Sequence, residues 1–368
     1  MDVQFETRKK VVAKERITFG NQKSPFFTEL KNEVKKYFEE TGVESTGNSV
    51  LYSKAIFLIA TYVVAYATVV FFAPNGGIAL LLCAYLGLAA AGLGFNVMHD
   101  GSHGSFSSKR WLNTLASHSI NLLGGDAMLW RNKHNIIHHT FTNIEGYDQD
   151  IAQMPVLRLN SMQEKKWFHK YQHIYCYLVY GLSSILWMFL LDYIKYFNRK
   201  VGNIRIPKIT FAEHLTFWFT KITYTTIYII IPSFYWDIQY VLLGFFLYHF
   251  VLGLTISTVF QLAHVVEITH FPDSHFENQT IKDEWAVHQL KTTANFATGN
   301  RFITWFVGGL NYQIEHHLFP KVSHVHYPAI QNIVKSVAAK FKVPYHEYPT
   351  FWTAIESHTK HMKETAVA

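Results

Sequence analysis

Two apolar runs, Ala55 to Ala73 and Ile78 to Val97, are separated only by Pro74-Asn-Gly-Gly77. Each has about the ~20 residues an α-helix needs to cross the hydrocarbon of a bilayer. Hydrocarbon offers no water to backbone N–H and C=O groups, so such runs fold as helices, and so short a connector makes them a hairpin. Leu215 to Ile231 and Ile238 to Leu262, joined around Pro232-Ser-Phe-Tyr-Trp-Asp237, read as a second hairpin. Neither connector holds Lys or Arg, whereas Met1 to Lys54 holds ten. Because positive loops stay in the cytoplasm, both termini are expected there. A fifth run, Ile174 to Leu191, follows Lys165, Lys166 and Lys170 and precedes Lys195, Arg199 and Lys200. With both flanks basic, it is expected to be an in-plane or re-entrant helix, leaving four full spans.

The chain is therefore expected to be an all-α integral membrane protein: four transmembrane helices in two hairpins, in-plane helices and a cytoplasmic cap. Only 16% of its 368 residues are charged, against roughly 25% in soluble domains. The net charge of +7 lies between apolar spans, which suits an anionic membrane surface and not nucleic acid. Cys83 and Cys176 both sit in apolar runs, so neither a disulfide framework nor a thiolate-held iron–sulfur cluster is expected. The first sixteen residues contain no apolar core of a secretory signal. Residues 1–47 read as an N-terminal arm, 48–349 as one membrane-embedded catalytic unit and 350–368 as a cytoplasmic tail. Within the arm, Phe27, Leu30, Val34 and Phe38 recur at helical spacing, which fits either a surface-lying helix or one packed on the cap.

Three histidine clusters lie at or just beyond the ends of the apolar runs: His99-Asp-Gly-Ser-His103, His134-Asn-Ile-Ile-His138-His139 and Gln313-Ile-Glu-His316-His317. On an α-helix, His99 and His103 share a face, as do His134 and His138, while His139 and the His316–His317 pair diverge by about 100° per residue. Two histidines one turn apart are commonly just solvated surface. Three such clusters on one side of one membrane are not a coincidence; they read as a metal site. Seven imidazoles exceed the four ligands of structural zinc, and hard cations prefer oxygen. An all-imidazole, multi-ion site suits iron, copper or zinc, and iron is the natural choice for activating dioxygen towards an unactivated C–H bond.

The three boxes, in this order and between these spans, resemble the membrane fatty acid desaturase family from about Asn48 to Pro349. Gln313 at the head of the third box, with His138-His-Thr-Phe-Thr-Asn143 and Asn311-Tyr-Gln-Ile-Glu-His-His-Leu-Phe-Pro320, is similar to the front-end subgroup. That subgroup inserts a double bond between an existing one and the carboxyl end. The resemblance implies a non-haem centre of two iron ions, dioxygen as co-substrate and electrons from an external donor. It also implies an eighth histidine near the cytoplasmic end of the last span, a place occupied here by His264. Gln313 would ligate through its carbonyl, hold a water or orient a neighbour. Asp100, Asn143, Asp148, Asp150, Asn311 and Glu315 adjoin the boxes and are candidates for hydrogen-bonding the ligand imidazoles, though caps and surface charges account for any single one equally well. Trp285, Gln289, Thr292 and Asn295 are candidates for a substrate channel, or simply pack the cap. Arg110, Arg131, Lys133 and Arg301 would hold an anionic head group, or merely mark the positive side.

His118, His249 and His270 belong to no box and are expected to serve packing. Glu267-Ile-Thr-His270 has the ExxH spacing of soluble di-iron bundles, but these need two such motifs and the chain has no second. HExxH is absent too, which disfavours a zinc protease. The expected reaction removes hydrogen from neighbouring methylenes of an acyl-CoA or phospholipid-linked chain, leaving a cis alkene. No His-Pro-Gly-Gly motif of a cytochrome b5 domain occurs, so a separate cytochrome b5 or ferredoxin with its reductase is expected to dock on the basic face, in a bacterial inner membrane rather than endoplasmic reticulum. A related di-iron hydroxylase or sphingolipid desaturase is the alternative. A metal transporter is remote, because its ligands belong near the bilayer midplane.

Overall fold

The computed structural model describes residues 17–20, 24–151, 155–272 and 280–368. The basic head of the N-terminal arm, residues 1–16, lies outside them.

The first hairpin forms as read. Asn48 caps Ser49–Phe72, its side chain accepting from the amides of Val50 and Leu51, and Asn75 caps the return helix Gly76–His103 through Ile78. That second helix runs past the last apolar residue, so it carries both histidines of the first box on its end. Ile238–His264 is similarly long and ends on His264. The two approach closely where side chains vanish: a Cβ on Gly87 would lie 2.5 Å from the carbonyl oxygen of Tyr248. Leu51, Leu58, Ala90, Leu93, Leu252 and Leu262 form the core between them.

The membership of the long apolar set differs from expectation. Four helices have the length and composition to cross a membrane: Ser49–Phe72, Gly76–His103, Trp167–Asn198 and Ile238–His264. The expected span Leu215 to Ile231 does form a helix, 211–230, opened by a Thr210–Glu213 capping box and turned at Pro232–Phe234. It is not in that set, because Lys221 and a run of threonines dilute its hydropathy. Lys221 is accommodated by three acceptors, the carbonyls of Gly124 and Met188 at 2.8 and 2.9 Å and Asp192 at 3.2 Å.

Ile174 to Leu191, expected in-plane or re-entrant, lies within a 32-residue helix that is long and apolar enough to cross a membrane. Both ends of this helix pack beside the histidine-bearing elements. Gln172 donates to Met362 O at 2.8 Å in the C-terminal helix Phe351–Thr365, whose His358 donates to Val265 O at 2.6 Å. Tyr196 stacks on Phe217 and shares a cluster with Leu129 and Ile137. Between them, Ser184 bonds His249 at 2.9 Å, well along Ile238–His264, and a π-turn at Trp187–Leu191 follows. Such turns are a known cause of helix bending.

The cap closes over the inner ends. Helix Pro25–Thr41 packs on it, burying Phe26, Leu30 and Val34 against Leu290, Ile314, Val334 and their neighbours. Two-residue strand pairs staple distant segments: Thr18–Phe19 to Thr280–Ile281, and Asn295–Phe296 to Glu347–Tyr348, both parallel.

Candidate metal centre

The fold brings all eight predicted histidines into one buried cluster. Ligand atoms of His99, His103, His134 and His316 lie within 4.8 Å of one another, as do those of His138, His264 and His317, and those of His139, His316 and His317. The sets overlap through His316 and His317, and His134, His138 and Asp150 form a fourth, so the cluster has donors for more than one ion. The Nε2 atoms of His99 and His134 are 3.1 Å apart, and those of His134 and His139 are 3.2 Å apart. Nitrogens each about 2 Å from a shared ion sit roughly 3 Å apart, so these spacings fit coordination.

The second box is not the α-helix its spacing suggested. Asn132–His138 is a π-turn, in which the fifth residue along, not the fourth, comes back beside the first. His134 therefore meets His139, while still stacking on His138 at 5.3 Å between ring centres. A π-turn also covers Gly94–Met98, just before the first box. Both sit where the ligands must be aimed.

Four rings are anchored on the far side. Nδ1 of His138 donates to Asp148 at 3.0 Å, Nδ1 of His317 to Gln289 Oε1 at 2.7 Å, Nδ1 of His316 to Tyr327 Oη at 3.1 Å, and Nδ1 of His264 to Thr292 O at 3.3 Å. Each bond leaves Nε2 facing the cluster. The Nε2 atoms of His103, His138, His316 and His317 are buried without a hydrogen-bond partner among the described residues. Buried orphan nitrogens are rare in folded proteins and mark a missing partner. Burial, then neighbouring imidazoles, hold His134, His139, His316 and His317 well below the ordinary pKa, keeping them in the neutral form a cation binds. Burial also works against charge on His138, but Asp148 and Asp150 outweigh it and raise its pKa. Most of the donor set, His138 excepted, is thus held as neutral imidazole, and four rings are oriented from outside: a fit for borderline transition ions such as iron.

The remaining candidates divide. Asp148 also accepts from the amides of Asn143 and Asp150, and Asn143, at φ 58°, donates to His264 O at 2.8 Å. Asp150 pairs with Lys133 and lies 3.4 Å from His138. Burial raises its pKa, but Lys133 and His138 prevail and bring it down to about 2. Gln313 is buried with its amide nitrogen 3.3 Å from His264 Nε2 and its Oε1 unpartnered. Trp285 donates to His139 O at 3.0 Å, and Gln289 and Thr292 hold ligand rings. None of the three lines the cavity beside His99 and His134.

Others point elsewhere. Asp100 accepts from Ser323 and His324 at 2.7 and 3.0 Å. Asn295 and Tyr345 bond Glu315 at 2.7 and 2.8 Å on the side of the third box away from the rings, and burial pushes Glu315 up to about 7. Asn311 donates to Thr304 and Ala297 O. Arg110, Arg131 and Arg301 are exposed. His249 lies apart, between Ser184 and Tyr224. Tyr327, Thr142 (3.4 Å from His317 Nδ1) and Trp130, stacked 4.4 Å from His134, were not singled out from the sequence. Tyr327 and Thr142 reach His316 and His317 through tertiary packing, whereas Trp130 lies one helical turn before His134.

A cavity of about 720 Å³ abuts His99 and His134. Its inner wall is apolar, with Phe95, Met98, Trp187, Leu186, Ile256 and Phe260. Its polar lining includes Lys133, Gln149, Asp150, Lys195, Asn198 and Lys200. A second, apolar cavity of about 260 Å³, bordered by Tyr66, Cys83 and Trp236, lies away from the histidines.

Comparison with known proteins agrees with this geometry. The chain belongs to the fatty acid desaturase family, matching it over residues 72–349. It is 37% identical over 345 residues to the sn-1 linoleoyl-lipid 6-desaturase of Synechocystis sp., covering 93% of this chain and 96% of that one. It is 35% identical over 354 residues to the enzyme of the same name from Arthrospira platensis, covering 96% and 95%. It is also 35% identical over 349 residues to the acyl-lipid (8-3)-desaturase of Physcomitrium patens, covering 93% and 72%. The chain is an oxidoreductase that desaturates fatty acyl chains in a membrane.

Proposed function

We propose that this desaturase is of the front-end type, placing a cis double bond between an existing one and the carboxyl end of an acyl chain carried on a lipid. His99, His103, His134 and His316 hold one iron ion; His138, His264 and His317 hold the other, with His139 between them and Gln313 offering a neutral oxygen beside His264. Iron bound there would supply dioxygen-dependent, two-electron oxidation of unactivated C–H bonds. The single observation that carries this reading is the set of imidazoles tied at Nδ1 to Asp148, Tyr327, Gln289 and Thr292, with Nε2 turned inwards. Fixed rings present their lone pairs without rearrangement, the orientation that metal-site partners provide.

The protein's own contribution is position. Phe95, Trp187 and Phe260 line the route to His99 and His134, excluding water and holding an apolar chain in one pose. Two relatives named linoleoyl-lipid 6-desaturases support both the lipid-borne substrate and the front-end position. Electrons come from a separate donor, a cytochrome b5 or a ferredoxin with its reductase, docking on the basic cytoplasmic face. The basic flanks support a cytoplasmic metal centre, and the relatives from Synechocystis sp. and Arthrospira platensis support a bacterial membrane.

The test is expression of the full chain in a host fed linoleate, with double bonds located by gas chromatography–mass spectrometry. The expected product carries a new cis bond on the carboxyl side of the existing pair. A hydroxylated acid, or a new bond only on the methyl side, would overturn the reading.

A further inference from the structure

Lys195 sits in the last turn of the helix Trp167–Asn198, lines the 720 Å³ cavity and is only 6% exposed. Among the described residues its ammonium has no hydrogen bond and no ion pair. The acidic side chains whose charge it feels, Asp192 and Asp150, each pair with another lysine, Asp192 Oδ2 with Lys221 and Asp150 with Lys133. A buried ammonium without a hydrogen bond is costly to keep unless something of opposite charge arrives. Lys200, exposed on the same rim, adds a second cation, and Asn198 and Gln149 add neutral hydrogen-bonding groups. His99 and His134 line the same cavity.

We infer that Lys195, with Lys200, forms an anion site that takes the phosphate of the substrate's head group, and so fixes how far from that end the chain meets the histidines. This inference rests on the acyl-desaturase reading and names its recognition element. A chain anchored by its head at Lys195 lies with its methyl tail along Phe95, Trp187 and Phe260, so position along the chain is counted from the carboxyl side. Arg110, Arg131 and Arg301 do not line the cavity; Lys133 does, but Asp150 holds it. Lysine suits the place because an ammonium binds phosphate as a point charge without demanding planar geometry. The phosphate has two possible carriers, a phospholipid and a coenzyme A thioester.

The experiment uses the purified full chain, wild type, Lys195→Met and Lys195→Arg, titrated with three probes: a lysophospholipid, an acyl-CoA and an uncharged monoacylglycerol of equal chain length. Lys195→Met should weaken binding of a phosphate-bearing probe about tenfold, leave the monoacylglycerol unchanged, and be largely rescued by Lys195→Arg. Loss confined to the lysophospholipid identifies a lipid carrier, and loss confined to the acyl-CoA a nucleotide carrier; either supports the site. Equal loss for all three probes, or loss for none, overturns it. Binding is read without turnover, so the outcome stays separate from the desaturation test.

Discussion

Asp148 is the carboxylate behind His138, and its removal is a sharper probe than removal of the ligand. Asp148→Asn keeps the shape but leaves one oxygen where the carboxylate uses two, Oδ2 for His138 and the Asn143 amide and Oδ1 for the Asp150 amide, so either the Asp150 bond or the acceptor of the His138 proton is lost. Partners of ligand histidines are typically worth 10- to 100-fold in metal affinity. Iron retained against a graded chelator should therefore fall by about that factor, while the level of protein in the membrane stays unchanged; retention equal to wild type would deny Asp148 that part. His138→Ala should go further, abolishing product and roughly halving bound iron, measured by elemental analysis of purified protein. That the histidines would gather was legible from their places at the ends of apolar runs. Their outer partners were legible only in part: Asp148 lies ten residues from His138, but Tyr327 and Gln289 reach their rings through packing that no spacing encodes.

Among the elements, the close helix contacts make the most testable feature. A Cβ on Gly253 would lie 2.7 Å from Tyr180 O, pressing on the backbone of Trp167–Asn198, which cannot swing aside as a flexible side chain could. Membrane helices rely on such small-residue approaches because lipid provides little hydrophobic drive between them. Gly253→Ala should destabilise the purified protein by the 1–3 kcal/mol order of overpacking, seen as a lower midpoint in a thermal melt. An unchanged midpoint would mean that the two helices are not held this tightly. The hairpin 49–103 was readable from hydropathy and the Pro-Asn-Gly-Gly turn. The ranking of 167–198 above 211–230 was not, since flanking lysines argued against the former and Lys221 is neutralised only by contacts from Gly124, Met188 and Asp192. The π-turn at Asn132–His138 was equally invisible, because the same four-residue spacing reads as α-helix.

The whole molecule is a bundle whose inner end carries the chemistry and whose cap seals it. Both ends of Trp167–Asn198 pack at that inner end, so a reporter fused within Gly202 to Thr210 should read on the same side as both termini; the opposite reading would put the three boxes on different faces. The cavity joins this level to the apolar interior, which is how one chain handles a water-insoluble substrate beside a polar metal centre. The central claim is that eight scattered imidazoles cage two iron ions. Iron counted per chain in protein purified without added metal, alongside desaturation before and after exhaustive chelation, tests it most directly. The account predicts close to two irons and complete loss of activity on their removal; full activity with no iron remaining would contradict it.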